Sequence, residues 1–282
     1  MLNAYDNLSS KDSIAYEEPQ GFSGLRHILD GYLYLSRGVK CSADQIIFTS
    51  GHQQSMNIIA NLFCSSDWGF AMEDPGYSGT RQVMEQNNFH ITPVPVENDG
   101  ISIDGIQNLF HTLLCVTPSH QFPLGSVLSI AKRLQLLEWA EKNDGYIIED
   151  DYDSELRYHN RPIPSLQSIG SSERTIYLGT FSKSLSPDLR MAYMVLPAHL
   201  LTSYREKYLY ANCTIPALLQ LTLAEYIKNG EYQRHINAMR THYRKKHDYI
   251  RNYVKENLSG KAGLLGEDAG LHLSLIHISE PT

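Results

Sequence analysis

Short, largely apolar runs alternate with helical segments along this chain, and polar or glycine-bearing residues follow each run at once. The runs fall at residues 45–49, 70–73, 90–96, 113–116, 146–148, 175–178 and 192–195. Runs that stay apolar, instead of alternating with polar residues, suit strands covered on both faces. Strands separated by helices suit a parallel sheet. Helical periodicity appears at 23–36, 51–63 and 130–142, and in a shorter stretch ending near Gln86. In the first of these, Leu25, Ile28, Leu29, Tyr32 and Leu35 share a face. The pattern predicts an α/β fold, a three-layer α/β/α sandwich around a mainly parallel seven-stranded sheet. In such sheets ligands collect at the carboxyl ends of the strands. The chemically suggestive residues lie there: Ser50-Gly51-His52-Gln53, Tyr77, His120-Gln121, Asp150 with Tyr152, and Ser182-Lys183 each follow a strand run. One composite site is the expectation.

The character changes after Pro197. Long helical patterns cover about 198–258, followed by Gly270-Leu271-His272-Leu273, a glycine-led strand signal. The expected division is a large domain over 1–197, an incomplete small C-terminal domain over 198–273 and a tail over 274–282. The tail, Ser274-Leu275-Ile276-His277-Ile278-Ser279-Glu280-Pro281-Thr282, reads like translated sequencing adapter and is expected to be non-native.

With 282 residues, 42% of them hydrophobic and 20% charged, the chain has the makings of a packed core. A formal net charge of -7 argues against nucleic acid as the main partner of this piece. Cys41, Cys64, Cys115 and Cys213 show no CxxC or other metal-type spacing, so they read as reduced thiols of a cytoplasmic protein. No apolar stretch is long enough for a membrane span, and the N-terminus lacks the pattern of a signal peptide.

Lys183 sits in Gly179-Thr180-Phe181-Ser182-Lys183-Ser184. A lysine among small hydroxyl residues just past a strand suits a phosphorylated carbonyl compound: Thr180, Ser182 and nearby N–H groups for the phosphate, the amine for a Schiff base. Alone, such a lysine is usually a solvated surface charge. Asp150 ends an apolar run, where a carboxylate can keep a pyridinium nitrogen protonated, and Tyr152 can hydrogen-bond a ring phenolate. The plainer readings of Glu149, Asp150, Asp151 and Asp153 are a solvated turn or a Mg²⁺ site. Ser50-Gly51-His52-Gln53 puts a glycine turn at a helix start, an anion site or simply an N-cap. Tyr77, in Asp74-Pro75-Gly76-Tyr77, suits stacking on a flat ring. Arg190 suits a bidentate phosphate contact or an ordinary surface ion pair. His235 and His242 lack a third ligand at metal spacing, so no metal is assigned.

Together these stretches resemble the fold-type-I pyridoxal-phosphate proteins, specifically the aminotransferase-like domain of MocR/GntR-type transcription regulators. The resemblance covers about 16–273. It is carried by Tyr16, Glu18-Pro19-Gln20-Gly21, Thr49-Ser50-Gly51-His52-Gln53-Gln54 and Glu73-Asp74-Pro75-Gly76-Tyr77. Further on it is carried by Thr117-Pro118-Ser119-His120-Gln121-Phe122-Pro123-Leu124-Gly125, Glu149-Asp150-Asp151-Tyr152 and Gly179-Thr180-Phe181-Ser182-Lys183. The resemblance implies pyridoxal 5'-phosphate as cofactor and Lys183 as the internal-aldimine lysine. It implies Asp150 as partner of the ring nitrogen, Tyr152 as partner of the phenolate and Tyr77 as ring stacker. Gly51, His52, Gln53, Ser182 and Arg190 would form the phosphate cradle. Tyr16 would reach the partner subunit's phosphate, which implies a homodimer with shared sites. Most aminotransferases of the family carry Asn-Pro-x-Gly where this chain has Phe122-Pro123-Leu124-Gly125. The asparagine contact to the ring is therefore absent, and His120 or Gln121 is the expected substitute.

Two functions follow. One is a sensor domain that binds the cofactor and a small amine or amino-acid effector, acting on DNA through a winged helix-turn-helix outside this chain. The other is a working aminotransferase of class I or II. The Ser119-His120-Gln121-Phe122-Pro123 signature favours the sensor. A nucleotide-binding oxidoreductase is a distant third, because no glycine-rich dinucleotide fingerprint is present.

Overall fold

Six of the strands are buried on both faces, and the layers on either side of the sheet follow from that. The computed structural model describes residues 18–64, 67–158, 163–170, 173–266 and 270–277. The strands are β1 Ile46–Thr49, β2 Gly69–Asp74, β3 Ile91–Glu97, β4 Gly100–Ile101, β5 Thr112–Val116, β6 Tyr146–Asp150, β7 Thr175–Thr180 and β8 Ala192–Val195. They form one sheet in the order β1-β8-β7-β6-β5-β2-β3-β4. The five strands from β7 to β3 run parallel. β8 is antiparallel to both β7 and β1, so β1 points the same way as β7. All seven expected strands are present; the eighth, β4, adds two residues antiparallel to β3 at the edge.

Successive strand residues point to opposite faces, and both faces are filled. On one, Ile47, Met72, Cys115, Ile148, Ile176 and Met194 meet helices α2 His52–Phe63, α3 Ser78–Gln86 and α6 Leu200–Lys207. On the other, Phe48, Tyr177 and Val195 meet α1 Ser23–Arg37 and α7 Ala217–Lys228, whereas Leu114, Val116 and Ile147 meet α4 Ile130–Lys142 and the short α5 Leu166–Ile169. This is the expected three-layer sandwich. α1 is turned slightly from its expected face: Leu25, Leu29 and Leu33 are fully buried, and Leu35 is 84% exposed. Four-residue spacing along one stripe decides it.

The helical stretch after Pro197 breaks where proline and glycine require it. Pro216 caps α7, and Gly230, with φ 71°, separates α7 from the long α8 Glu231–Asn257. The helices after Pro197 share cores with the sheet: Leu201 and Tyr204 of α6 in one cluster, Leu223 and Ala224 of α7 with Tyr232 and Ile236 of α8 in the other. β9 Ala262–Leu265 and β10 Ser274–His277 pair antiparallel as a separate two-stranded sheet. The strand signal expected at Gly270-Leu271-His272-Leu273 thus falls between these strands; Gly270 has φ 79°, a turn conformation. Among the described residues no helix is long and apolar enough to cross a membrane.

Candidate functional site

The sheet changes direction of growth between β2 and β5: β3 lies outward of β2, while β6, β7 and β8 follow on the other side. Such a switch leaves a crevice at the strands' carboxyl ends. There the structure has a cavity of about 420 Å³. Because β1 runs with β7, the turn after β1 opens onto it as well. Of the residues singled out from the sequence for the cofactor, Gly51, His52, Gln53, Tyr77, Asp150, Tyr152, Thr180, Ser182, Lys183 and Arg190 line this cavity, whereas His120 and Gln121 do not. Tyr16 lies outside the described residues. Lys183, on the loop after β7, and Asp150, the last residue of β6, share the cavity.

Asp150 is buried at the cavity floor, with its side chain 11% exposed. Burial pushes its carboxyl pKa up; His52 opposes this, Asp151 and Asp153 reinforce it, and the Lys183 ammonium draws it back down. Tyr152 donates its hydroxyl hydrogen to the His120 carbonyl oxygen at 2.8 Å. Burial first, then the charges of Asp153 and Asp150, push the Tyr152 phenol far up, so it is present as phenol. Tyr77 is 41% exposed and stands edge-on to both His52 (5.6 Å) and Phe122 (5.9 Å).

The opposite corner is built for an anion. Gly51 caps α2 with φ 116°, in the region that favours glycine. A β-carbon there would come within 2.6 Å of the Arg190 guanidinium. Arg190 itself is held in a left-handed conformation, φ 45°, and donates to the Ser50 carbonyl at 3.2 Å. The first N–H groups of α2 have no intrahelical acceptor and carry the positive end of the helix dipole. Thr180 and Ser182 bring hydroxyls to the same cavity. A phosphate fits this corner, and an amine, an acid and a stacking ring fit the rest.

His120 does not take up the ring contact expected of it. It is 1% exposed, its Nδ1 lies 2.9 Å from the Asp153 carboxylate, and it is not part of the cavity wall. Gln121 also turns away: its amide donates to the carbonyls of Pro75 at 2.9 Å and Phe122 at 2.7 Å. Phe122 lines the cavity instead, with no donor for a ring oxygen. His120 overlaps the His272 imidazole at 4.1 Å with planes 34° apart. The ring nitrogens and the Asp153 carboxylate lie within 4.8 Å of one another.

Two supporting features were not read from the sequence. Arg37, at the end of α1, grips Asp151 through Nε at 2.7 Å and Nη2 at 3.3 Å and also donates to Ser119 at 2.8 Å. This ties the residue after Asp150 to the loop after β5. Glu73 accepts from the Thr117 backbone N–H at 3.1 Å and hydroxyl at 2.5 Å, joining the loops after β2 and β5. No spacing rule links residues this far apart; only the strand order does.

The comparisons with known proteins agree with this geometry. The profile of the family described as aminotransferase class I and II matches residues 3–273. The HTH-type transcriptional regulator YdeL of Bacillus subtilis is 45% identical over 251 residues, which is 89% of this chain and 54% of YdeL. The probable rhizopine catabolism regulatory protein MocR of Rhizobium meliloti is 33% identical, over 97% of this chain and 55% of MocR. The chain therefore spans about half the length of the curated relatives it matches. Among solved structures, a kynurenine aminotransferase of Pyrococcus horikoshii superposes with a TM-score of 0.86 at 25% identity, covering 97% of this chain and 70% of that one.

Proposed function

Because the chain belongs to the class I and II aminotransferase family, we propose that it is the pyridoxal-phosphate-binding, effector-sensing domain of a MocR/GntR-type transcription regulator. The observation that carries the reading is that Lys183 and Asp150 face one cavity whose far corner, at Gly51 and Arg190, fits a phosphate. That the regulators YdeL and MocR match along most of this chain supports the sensor assignment.

Pyridoxal phosphate supplies an aldehyde that condenses with amines and a ring that delocalises electrons from the carbon next to it. The chain's residues do the rest. Lys183 would supply the amine that holds the aldehyde. Asp150 keeps a proton on the ring nitrogen. Tyr77 covers one face of the ring, and Tyr152 orients its phenolate edge. The start of α2 with Gly51, His52 and Gln53, together with Thr180, Ser182 and Arg190, holds the phosphate. On this reading the effector is a small amine or amino acid and the protein is cytoplasmic. It works as a homodimer with shared sites, Tyr16 serving the partner's phosphate. Large exposed apolar side chains at Tyr34, Leu35 and Tyr210 support a subunit interface. DNA contact belongs to a helix-turn-helix outside this chain. Residues 1–197 carry the cofactor site, and 198–273, whose first helices complete the same cores, lead into a smaller unit; 274–282 is a foreign tail.

The test is reconstitution of the purified chain with pyridoxal phosphate. The expected result is a yellow protein with a borohydride-trappable link that maps to Lys183 and is lost in Lys183→Ala. A folded protein that stays colourless at saturating cofactor overturns the reading. Asp150→Asn is expected to weaken cofactor binding roughly 10–100-fold, the worth of a charged hydrogen bond. Turnover with an amino acid and a keto acid would favour the alternative, a working aminotransferase.

A further inference from the structure

We propose that His52 is the positioning residue for Asp150: a Thr80–His52–Asp150 chain aims the carboxylate at the cofactor's ring nitrogen. The inference rests on the functional reading above and gives His52 a different task from the phosphate cradle. Its backbone opens α2 at the anion corner, but its side chain turns the other way. Nδ1 lies 3.4 Å from Asp150 Oδ2, and Nε2 lies 2.7 Å from Thr80 Oγ1. Tyr77 stands edge-on to the same imidazole at 5.6 Å. Three segments, the β1–α2 turn, the start of α3 and the end of β6, therefore meet at one side chain.

Asp150 needs such a partner. Among the described residues its carboxylate has no hydrogen bond, and its one ion pair is with His52. A carboxylate this buried, without a donor, is costly to keep charged and free to rotate. The Thr80 hydroxyl resolves the tautomer. If it donates to Nε2, the imidazole proton sits on Nδ1 and faces Asp150. If it accepts, Nε2 carries a proton, and a second proton on Nδ1 makes the ring a cation beside the acid. The remaining state, a bare Nδ1 lone pair against a carboxylate, is repulsive. Both favourable states direct an N–H at Asp150. The other charges around the acid are Lys183, on the loop after β7, Asp151 and Asp153, beyond β6, and Glu73, on β2. Of these only Lys183 is a cation, and it is the residue assigned to the aldehyde. His52 is left to hold the acid.

The experiment compares wild type with His52→Phe, His52→Gln and Thr80→Val. Each is followed by pyridoxal-phosphate affinity, by the pH titration of the bound cofactor's absorbance, and by carbon NMR of the Asp150 carboxyl in cofactor-free protein. His52→Phe is expected to weaken cofactor binding about tenfold, to move the absorbance titration and to raise the pH at which Asp150 titrates. His52→Gln, which can still donate to Asp150, is expected to restore most of each. Thr80→Val is expected to move the Asp150 titration in the same direction as His52→Phe, by less. A folded His52→Phe with wild-type affinity and both titrations unmoved overturns the proposal. If His52→Phe does not fold, a Thr80→Val protein with cofactor affinity and Asp150 titration both unmoved overturns it. Wild-type protein that takes up no cofactor sinks the functional reading; NMR on the cofactor-free protein then decides the His52–Asp150 contact by itself.

Discussion

Neighbouring buried acids in this site are driven in opposite directions by what surrounds them. Burial alone would raise the Asp151 pKa, but the Arg37 guanidinium, then the hydroxyls of Ser119, Tyr177 and Ser154, take it below the usual carboxylate range. Its contribution to stability is thus present above its unfolded pKa and is lost as pH falls through the lower folded value. Replacing Arg37 by Met leaves that carboxylate buried without its cation. The expected cost is about 3–5 kcal/mol, read from urea unfolding at neutral pH; a loss under about 1 kcal/mol would mean the pair is not buried in solution. Glu73 goes the other way. Burial pushes its carboxyl from 4.5 up to about 7, although Thr117 and Gln121 pull it back. Stability tied to Glu73 is fully present below pH 4.5 and is lost as pH rises through about 7. Glu73→Gln keeps an acceptor for Thr117 and removes the charge. It is expected to stabilise the protein by up to about 3 kcal/mol at pH 8 and by nothing at pH 4. Equal effects at both values would refute the assignment.

At the scale of elements, what could be read from the sequence depended on burial. Six of the seven strands were legible because each is apolar on both faces, as Ile147 between Tyr146 and Ile148 shows, and β3 because Ile91, Val94 and Val96 keep its run apolar. β4 was not, because Gly100–Ile101 is too short to hold a pattern. Helix α1 was legible in extent but not in rotation, since Leu33 and Leu35 are both leucines and only packing chooses between them. Leu29, at the centre of its stripe and fully buried, is the residue to test. Leu29→Ala is expected to cost about 2–5 kcal/mol with an unchanged denaturant slope, and a cost below about 1 kcal/mol would mean α1 is not docked. The site follows the same logic. Lys183, Asp150 and Gly51 were legible because each stands just past a strand, where the fold class alone puts the ligand. The direction of His120 was not, because a loop residue's contact with Asp153 or with the cavity is settled by tertiary packing. The His52–Asp150 contact depends on β1, β8, β7 and β6 lying side by side in that order, which no local pattern encodes.

Across the whole molecule, the sheet's order does two things at once. It opens the crevice between β2 and β5, and it makes the antiparallel pair β8 and β1 the edge against which α1 and α7 pack. α1 comes before the sheet in sequence and α7 and α8 after it, yet Leu25, Leu29 and Leu33 share a cluster with Leu223, Ala224, Tyr232 and Ile236. A change of sequence character at Pro197 therefore does not mark the end of the core. A chain ended at 197 strips this cluster of its covering helix and also removes Leu201 and Tyr204 from the other face. A chain ended at 257 keeps both faces covered and loses the separate β9–β10 sheet together with His272, which packs on His120. Exposure of so much apolar surface predicts that the 197 form binds a hydrophobic dye and shows no cooperative thermal transition. The 257 form is expected to melt cooperatively and to keep cofactor uptake, because every described residue of the proposed site lies before it. A cooperative melt of the 197 form within a few degrees of the full chain would show that α6 and α7 are dispensable lids. The core would then be the sheet with the helices before 197 alone.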